Sequence, residues 1–350
     1  MGNRHHFVPR FYLSAFESSP RRIHLFNLSR NRVVADASLR DQCQVHRLYG
    51  SDVVESALAA IEGSASALIR RMRDHQAVPG MGTIERDQLL LFVALQLART
   101  TAAQAHAMQS SQLMANIAFD GAPPKEYEMS ADEAIAMTLA VAPIMAATIA
   151  DLAITLVQAE PDSCFVTSDD PVFKYNAYCE GITDFGVTGT KCRGLQLFLP
   201  VSPRYLLYLF DAGVYKLVRA PKRLASANTA DMMALNRLQL IGARNNVYFD
   251  DEGLSPWIAE AAVDVRTIRS ASAPRVTKAV DVNDSRAELL HQYWSMPQAG
   301  LLLSFVSFRR NALKVPLFDR IHRTRGAIQG VVGMNDAEGT LRRFEVPSHH

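Results

Sequence analysis

The sequence predicts an α+β protein in which a layer of long helices, over about residues 52–160, packs on a mixed or antiparallel sheet. Two observations predict this architecture. Apolar residues recur at helical spacing in three successive segments of the first half of the chain. From Cys164 onward the segments become short, aromatic and β-branched or leucine-rich, with Gly and Pro between them, which is typical of strands.

The helical layer is predicted from periodicity and from capping residues. Apolar positions three, four and seven residues apart predict the first helix over residues 52–75. Thr83 is a good N-cap for a second helix that is expected to continue to about residue 118. Ser130 caps a third helix, which is expected to end before Pro161.

Strands are predicted both before and after the helical layer along the chain. A β-hairpin is expected near the N-terminus, because two short apolar runs flank a turn-forming Ser-Arg-Asn sequence. After the helical layer, one further helix is expected between the predicted strands, over residues 228–243. The predicted strands cover residues 21–28, 32–35, 164–167, 195–199, 205–210, 214–218 and 247–249.

Composition limits the classes of protein to which the chain can belong. The 350 residues include 48% hydrophobic and 21% charged side chains, which is sufficient for an ordinary globular core. Lys and Arg total 37 against 35 Asp and Glu, so there is no global basic field for nucleic acid or anionic lipid. Four cysteines are too few for a disulfide-stapled secreted scaffold.

Segments that would direct the chain to a membrane or out of the cell are not expected. The first ten residues contain two histidines and two arginines where a signal peptide needs an apolar stretch. The most apolar segment, Ala136–Ala150, is shorter than the roughly 20 residues that span a bilayer, so we expect a buried helix. The sequence therefore predicts a cytoplasmic protein that does not contact a membrane.

The chain shows no internal repeat, low-complexity tract or long linker. Residues 1–250 are predicted to form one α+β domain. Periodicity weakens after residue 250, so residues 251–350 are expected to be a C-terminal extension packed on the same domain.

Several segments together resemble the DUF4238 family: His6–Leu13 (HFVPRFYL), Leu95–Thr100 (LQLART), Thr167–Val172 (TSDDPV) and Leu199–Pro203 (LPVSP). The resemblance covers roughly residues 5–250 and implies no activity, because the family name records a domain of unknown function. In that family's motif position 170 is commonly Asn, so Asp170 adds a second carboxylate here. The resemblance directs attention to polar residues inside apolar segments, namely His6, Gln96, Arg99, Asp169, Asp170 and Asn236.

Two of these residue types point to acid–base or anion chemistry. His6 is interpreted either as a metal ligand or general acid or base, or as a buried histidine that bonds a carbonyl. A buried Arg99 needs an anionic partner, for which Glu62 on the first helix and Asp169 are the natural candidates. Such a pair is either a structural salt bridge or part of an anion-binding site.

The remaining polar residues have structural interpretations beside the functional ones. Asp169 and Asp170 would chelate Mg²⁺ or Mn²⁺ only if they converged, but neighbours on a strand point opposite ways. One of the two is therefore expected to cap the turn at Pro171. Asn236 lies within a predicted helix, where Asn is unfavourable, so its amide is expected to satisfy a buried partner.

The sequence favours an enzyme, a metal-assisted hydrolase acting on phosphodiesters in the manner of a nuclease. The alternatives are a sensor or binding protein for an anionic small molecule, and a purely structural buried polar network. The expected cofactor is a divalent metal (Mg²⁺, Mn²⁺ or Zn²⁺), and the expected partner is nucleic acid or an anionic small molecule. We predict catalytic roles for His6, Glu62 and Asp169, substrate binding by Gln96, Arg99 and Asn236, and metal binding by His6, Asp169 and Asp170.

Overall fold

The computed structural model describes residues 4–50, 52–183, 186–218, 224–270, 273–280, 288–315, 323, 332–335 and 341–344. It confirms the predicted α+β class, with helices packed on mixed and antiparallel sheets. The α-helices are α1 (Arg10–Leu13), α2 (Asp52–His75), α3 (Ile84–Ala98), α4 (Thr101–Ala118), α5 (Ala131–Thr148), α6 (Thr229–Gly242), α7 (Ser255–Asp264), α8 (Arg266–Ser270) and α9 (Arg310–Leu313).

The strands lie mostly before α2 and after α5 along the chain, and they include the predicted N-terminal hairpin. They are β1 (Arg4–His6), β2 (Arg22–Asn27), β3 (Arg32–Ser38), β4 (Gln44–His46), β5 (Ala153–Ala159), β6 (Thr167–Ser168), β7 (Phe173–Tyr175), β8 (Gln196–Ser202), β9 (Tyr205–Phe210), β10 (Tyr215–Leu217), β11 (Leu224–Ala227), β12 (Asn246–Phe249), β13 (Pro274–Val280), β14 (Glu288–Trp294), β15 (Val306–Phe308), β16 (Val332–Asn335) and β17 (Leu341–Phe344).

The largest sheet separates two hydrophobic cores. Its strand order is β11-β5-β9-β8-β7, in which β11 pairs with β5 in parallel and the other neighbours are antiparallel. Successive side chains on a strand point to opposite faces. Leu197 and Leu199 accordingly pack in the core formed with α2, α3 and α5, whereas Phe198 packs in the other core, with α6 and α7.

A second sheet joins the N-terminal hairpin to residues near position 250. Its order is β3-β2-β12-β6, and every pairing is antiparallel. The Asn27 side chain donates a hydrogen bond of 2.7 Å to the Asn246 side chain, and the Cys43 thiol lies 3.3 Å from the Tyr248 hydroxyl. Strand β12 is therefore an interior strand, with β2 of the N-terminal hairpin on one side and β6 on the other.

The second predicted helix is two helices in the structure. Helix α3 ends at Arg99, and Thr100 has an extended backbone (φ −79°, ψ 157°) before α4 begins. The Thr100 side chain accepts a hydrogen bond from the Ala103 backbone N–H, which makes Thr100 the N-cap of α4. The prediction of one continuous helix to residue 118 is wrong because apolar periodicity persists through a capping residue that turns the chain.

The helical layer also ends earlier than residue 160. Helix α5 stops at Thr148, and Ala153–Ala159 forms β5 in the interior of the five-stranded sheet. Leu156 and Val157 are both fully buried, one in each core. A strand that is buried on both faces lacks the alternation that identifies strands in a sequence. For this reason the sequence predicts a helix where the structure has β5.

The apolar segment Ala136–Ala150 is not the buried helix that the sequence predicts. In α5 only Ala134, Ile135 and Ala142 are buried, whereas Met137, Val141 and Ile144 are exposed. By length and composition Lys125–Thr148 would be able to cross a membrane, and 17% of its apolar window is buried. Core packing therefore does not account for the apolarity of α5, and the cytoplasmic location stays a prediction.

Described residues beyond position 250 contact the preceding part of the chain. Strand β15 pairs with β10, and the Trp294 indole N–H donates a hydrogen bond of 3.0 Å to the Ser110 hydroxyl of α4. The Ser304 backbone N–H donates to Asp231 of α6 at 2.7 Å. The division into residues 1–250 and a C-terminal extension stays a prediction.

Candidate functional site

Arg99 is the centre of a buried polar cluster at the N-terminal strand. Its Nη1 lies 2.6 Å from Glu62 Oε1, its Nη2 donates to the His6 carbonyl oxygen at 2.6 Å, and its Nε donates to the Tyr49 hydroxyl at 3.0 Å. Burial by itself would lower the pKa of Arg99, but Tyr49 and Glu62 outweigh it and raise the pKa. The guanidinium stays charged and already has its counter-ion, one of the two partners expected from the sequence.

The imidazole of His6 bonds to a different partner, the backbone of Gln42. Its Nδ1 lies 3.1 Å from the Gln42 carbonyl oxygen, which makes Nδ1 the protonated nitrogen of a neutral ring. Burial lowers the pKa of His6, while the bond to Gln42 opposes this shift. His6 thus contributes its carbonyl to Arg99 and its ring to the loop before β4, and both contacts hold β1 in place.

Asp169 holds a turn together. Its carboxylate accepts hydrogen bonds from the backbone N–H groups of Arg244, Asn245 and Asn246 at 2.7, 2.8 and 3.1 Å. Burial raises the pKa of Asp169, and these three bonds oppose the rise. The predicted catalytic residue therefore caps the segment that leads into β12.

Asn236 is similarly engaged with the backbone. Its Oδ1 accepts from the Val166 N–H and its Nδ2 donates to the Cys164 carbonyl, both at 2.9 Å. The side chain fixes residues 164–166, which lead into β6, against α6. This matches the buried partner expected for a mid-helix Asn and leaves its amide few free positions for a substrate.

Gln96 is fully buried, and neither atom of its amide has a hydrogen-bond partner among the described residues. An unsatisfied buried amide costs roughly 1–3 kcal/mol. We expect Gln96→Met, which has a similar shape without polar hydrogens, to raise the free energy of unfolding by about 1 kcal/mol in urea titrations. A loss of stability would instead show that the amide is satisfied in solution and would favour the predicted substrate-binding role.

The predicted metal ligands do not form a common site. His6 bonds Gln42, Asp169 bonds the backbone of residues 244–246, and Asp170 accepts from Thr100. Across the ranges that the structure describes, no group of three or more His, Cys, Asp or Glu side chains is arranged to hold a metal ion. The donor set therefore does not fit the Mg²⁺, Mn²⁺ or Zn²⁺ site expected from the sequence.

Asp170 lies at the N-terminus of α4, next to the edge of the five-stranded sheet. The Thr100 hydroxyl donates to Asp170 Oδ1 at 3.0 Å, and Thr100 is completely buried. On the edge strand β7, Lys174 stands opposite Leu197, whose side chain packs against the helices. Directly opposed residues project to the same face of a sheet, so Lys174 projects toward the helical layer.

Other elements bring a second cation and an aromatic pair. Arg244 donates from Nη1 to the Thr101 carbonyl oxygen at 2.9 Å, which places its side chain at the start of α4. The rings of His106 and Trp294 have centroids 4.0 Å apart and planes tilted by 32°. We refer to the group of side chains formed by Thr100, His106, Asp170, Lys174, Arg244 and Trp294 as the Asp170 cluster.

The charges of the Asp170 cluster act on one another. Burial raises the pKa of Asp170 to about 7, Asp169 adds to the rise, and Thr100, Lys174 and Arg244 oppose it. Burial lowers the pKa of Lys174, and Asp170 opposes this shift. Burial, Lys174 and Arg244 together lower the pKa of His106 to about 4. Both Lys174 and His106 nevertheless retain exposed surface.

Most of the Asp170 cluster is not predicted from the sequence. Asp170 is expected from the sequence to bind a metal, whereas Lys174, His106, Arg244 and Trp294 are not among the predicted site residues. Lys174 alternates with two apolar neighbours in a strand, which is also the pattern of any solvent-facing strand residue. The cluster is assembled from α4, the segment between β6 and β7, β7, the segment before β12 and the end of β14, so no single stretch of sequence carries its signature.

The fold and these contacts define an α+β protein with a cluster of charged and aromatic side chains where the start of α4 meets the edge of a mixed sheet. Residues 4–253 match the model of a family described as a protein of unknown function (DUF4238), and the chain belongs to that family. The matched region ends just after β12, the strand that joins the N-terminal hairpin to β6. No curated protein and no solved structure matches the chain.

Proposed function

We propose that the protein is a phosphodiesterase that cleaves single-stranded RNA by general acid–base catalysis at the Asp170 cluster. The observation that carries the proposal is that Asp170, bound to Thr100, and Arg244, bound to Thr101, meet at the start of α4, near Lys174 and the His106–Trp294 pair. This keeps the class of substrate expected from the sequence and replaces the metal-assisted site with a different set of residues.

The two cations support an anionic substrate. In the described part of the chain neither Lys174 nor Arg244 has a carboxylate within ion-pair distance, although both act electrostatically on Asp170. Arg99, by contrast, is neutralised by Glu62 at 2.6 Å. Lys174 and Arg244 are therefore better able to bind a phosphate than Arg99, the arginine predicted from the sequence to bind substrate.

The carboxyl supports acid–base chemistry near neutral pH. A general base works best when its pKa is close to the operating pH, and that of Asp170 is about 7. In the proposed reaction the Asp170 carboxylate takes the proton of the ribose 2′-hydroxyl, whose oxygen bonds to phosphorus. The bond from phosphorus to the 5′-oxygen breaks, and the Lys174 ammonium gives a proton to that oxygen. The products are a 2′,3′-cyclic phosphate and a 5′-hydroxyl.

The aromatic pair supports a single-stranded substrate. Unpaired bases stack on aromatic side chains, which contributes roughly 1–3 kcal/mol per base. Trp294 is half-buried and held by Ser110, and His106 is exposed beside it, so the pair offers a fixed platform next to the charges. Because burial, Lys174 and Arg244 lower the pKa of His106 to about 4, the ring is neutral at pH 7.

The test is cleavage of a fluorophore-labelled single-stranded RNA, followed in EDTA and again with added Mg²⁺. We expect cleavage in EDTA, an increase in rate as the pH rises through about 7, and no cleavage of DNA of the same sequence. Asp170→Asn and Lys174→Met are each expected to lower kcat/KM by roughly 100-fold or more. Lys216→Met, which removes an exposed lysine on β10, is the matched control and should be unaffected.

Three outcomes would contradict the proposal. They are the absence of RNA cleavage by the wild-type protein, full activity of Asp170→Asn, and cleavage that requires Mg²⁺ and is lost in EDTA. Cleavage that requires Mg²⁺ would instead favour the metal-assisted hydrolase expected from the sequence.

A further inference from the structure

A cavity lies beside the N-terminal segment of the chain. It has a volume of about 240 Å³ and lies between the segment that contains α1, helix α2 and strand β8. Its apolar wall includes Phe11, Ile69 and Val201, and two arginines of α2, Arg70 and Arg73, also line it. None of these residues belongs to the Asp170 cluster.

The two arginines have no counter-ion in this cavity. Within the described ranges, neither Arg70 nor Arg73 forms an ion pair with a carboxylate. Burial lowers the pKa of Arg73, the neighbouring Asp74 opposes the shift, and Arg70 lowers the pKa further. Arg73 Nη1 donates to the Val201 carbonyl oxygen at 3.5 Å, a long contact that leaves most of the guanidinium donors available.

We propose that this cavity binds a small amphiphilic carboxylate, with the carboxylate between Arg70 and Arg73 and a short aliphatic chain against Phe11, Ile69 and Val201. Guanidinium groups bind carboxylates through paired hydrogen bonds. A partly desolvated arginine without a counter-ion gains most from such a ligand. The cavity is smaller than the roughly 300–1,000 Å³ of pockets for drug-sized molecules, so a short-chain acid fits better than a long lipid.

The test is isothermal titration calorimetry of the full chain with octanoate. We expect one binding event, and we expect octanamide, which keeps the chain without the charge, and acetate, which keeps the charge without the chain, to bind at least ~10-fold more weakly. Arg70→Met and Arg73→Met preserve the apolar stems of the side chains and are each expected to weaken octanoate binding at least ~10-fold.

Arg71 provides the matched control because it lies between the two arginines on α2, is exposed and does not line the cavity. Arg71→Met should bind octanoate as the wild type does. Thermal unfolding establishes that each variant is folded, and because Arg70 is exposed, Arg70→Met remains informative if Arg73→Met is unstable. The proposal is overturned if millimolar octanoate does not bind, if octanamide binds equally well, or if binding survives Arg70→Met unchanged.

Discussion

Replacing Arg99 by Met is expected to lower the free energy of unfolding by about 3 kcal/mol. The substitution removes the hydrogen bonds to the Glu62 carboxylate, the His6 carbonyl and the Tyr49 hydroxyl while keeping a side chain of similar length. Removing one partner of a buried ion pair typically lowers the free energy of unfolding by about 3–5 kcal/mol. Because Glu62 is partly exposed, we expect a loss near the lower limit of this range. Urea titration followed by circular dichroism measures the change.

Two comparisons separate a structural Arg99 from a ligand-binding one. Arg71→Met removes an exposed arginine of α2 and should change the free energy of unfolding by less than about 0.5 kcal/mol. Glu62→Gln keeps an acceptor for Nη1 and should cost less than Arg99→Met. A loss below about 1 kcal/mol for Arg99→Met would contradict the structural role and would restore Arg99 as a candidate anion-binding residue.

Asp170→Asn is expected to stabilise the protein at neutral pH while it removes the proposed activity. The pKa of Asp170 rises from 3.8 to about 7 on folding, chiefly through burial and the charge of Asp169, although Thr100, Lys174 and Arg244 oppose the rise. Between these pH values the folded state holds a proton that the unfolded state has released. The stability of the wild type therefore falls as the pH rises from about 4 to about 7.

Each pKa unit corresponds to about 1.4 kcal/mol, and partial solvent screening reduces the effect, so a gain of the order of 2 kcal/mol is expected at pH 7 and above. The Asn side chain retains an oxygen for the Thr100 hydroxyl and carries no charge. The difference in unfolding free energy between Asp170→Asn and wild type should thus grow between about pH 4 and pH 7 and then level off. Urea titrations across that range measure it.

Asp162→Asn is the control for this experiment, since Asp162 lies in an exposed turn of the same segment. This substitution should change the free energy of unfolding by less than about 0.5 kcal/mol. If Asp170→Asn destabilises the protein at pH 7, the carboxylate contributes net attraction to Lys174 and Arg244, and the general-base assignment loses its physical support. A gain in stability with a loss of activity would be the pattern expected of a strained catalytic carboxyl.

The parts of the fold that depend on local signals were predictable. The N-terminal hairpin, α2 and the capped starts of α3 and α5 follow from periodicity and capping residues that lie within a few positions of one another. The division between α3 and α4 was not predictable in this way, because Thr100 interrupts an apolar pattern that continues on both sides. Its hydroxyl is bound to Asp170, 70 residues further along the chain.

The same reasoning explains the outcome for the site. Pattern analysis finds polar residues inside apolar segments, and in this protein those residues, His6, Arg99 and Asn236, bond to backbone or to neighbouring helices. Lys174 and Arg244 reach solvent, so their sequence context is that of ordinary surface residues. Their proximity to Asp170 is a property of the tertiary fold, in which an edge strand and a loop meet the start of α4.

The central position of β12 has a consequence for the order in which the protein is made. The β2–β3 hairpin leaves the ribosome long before its partner strand, since Cys43 and Tyr248, which bond across this region, are 205 positions apart. At ordinary translation rates this interval is roughly 10–40 s. Throughout it, Phe26, which is buried in the core formed with α6 and α7, lacks the surface that covers it in the finished protein. The sheet that contains the hairpin is therefore complete only when residue 249 has emerged.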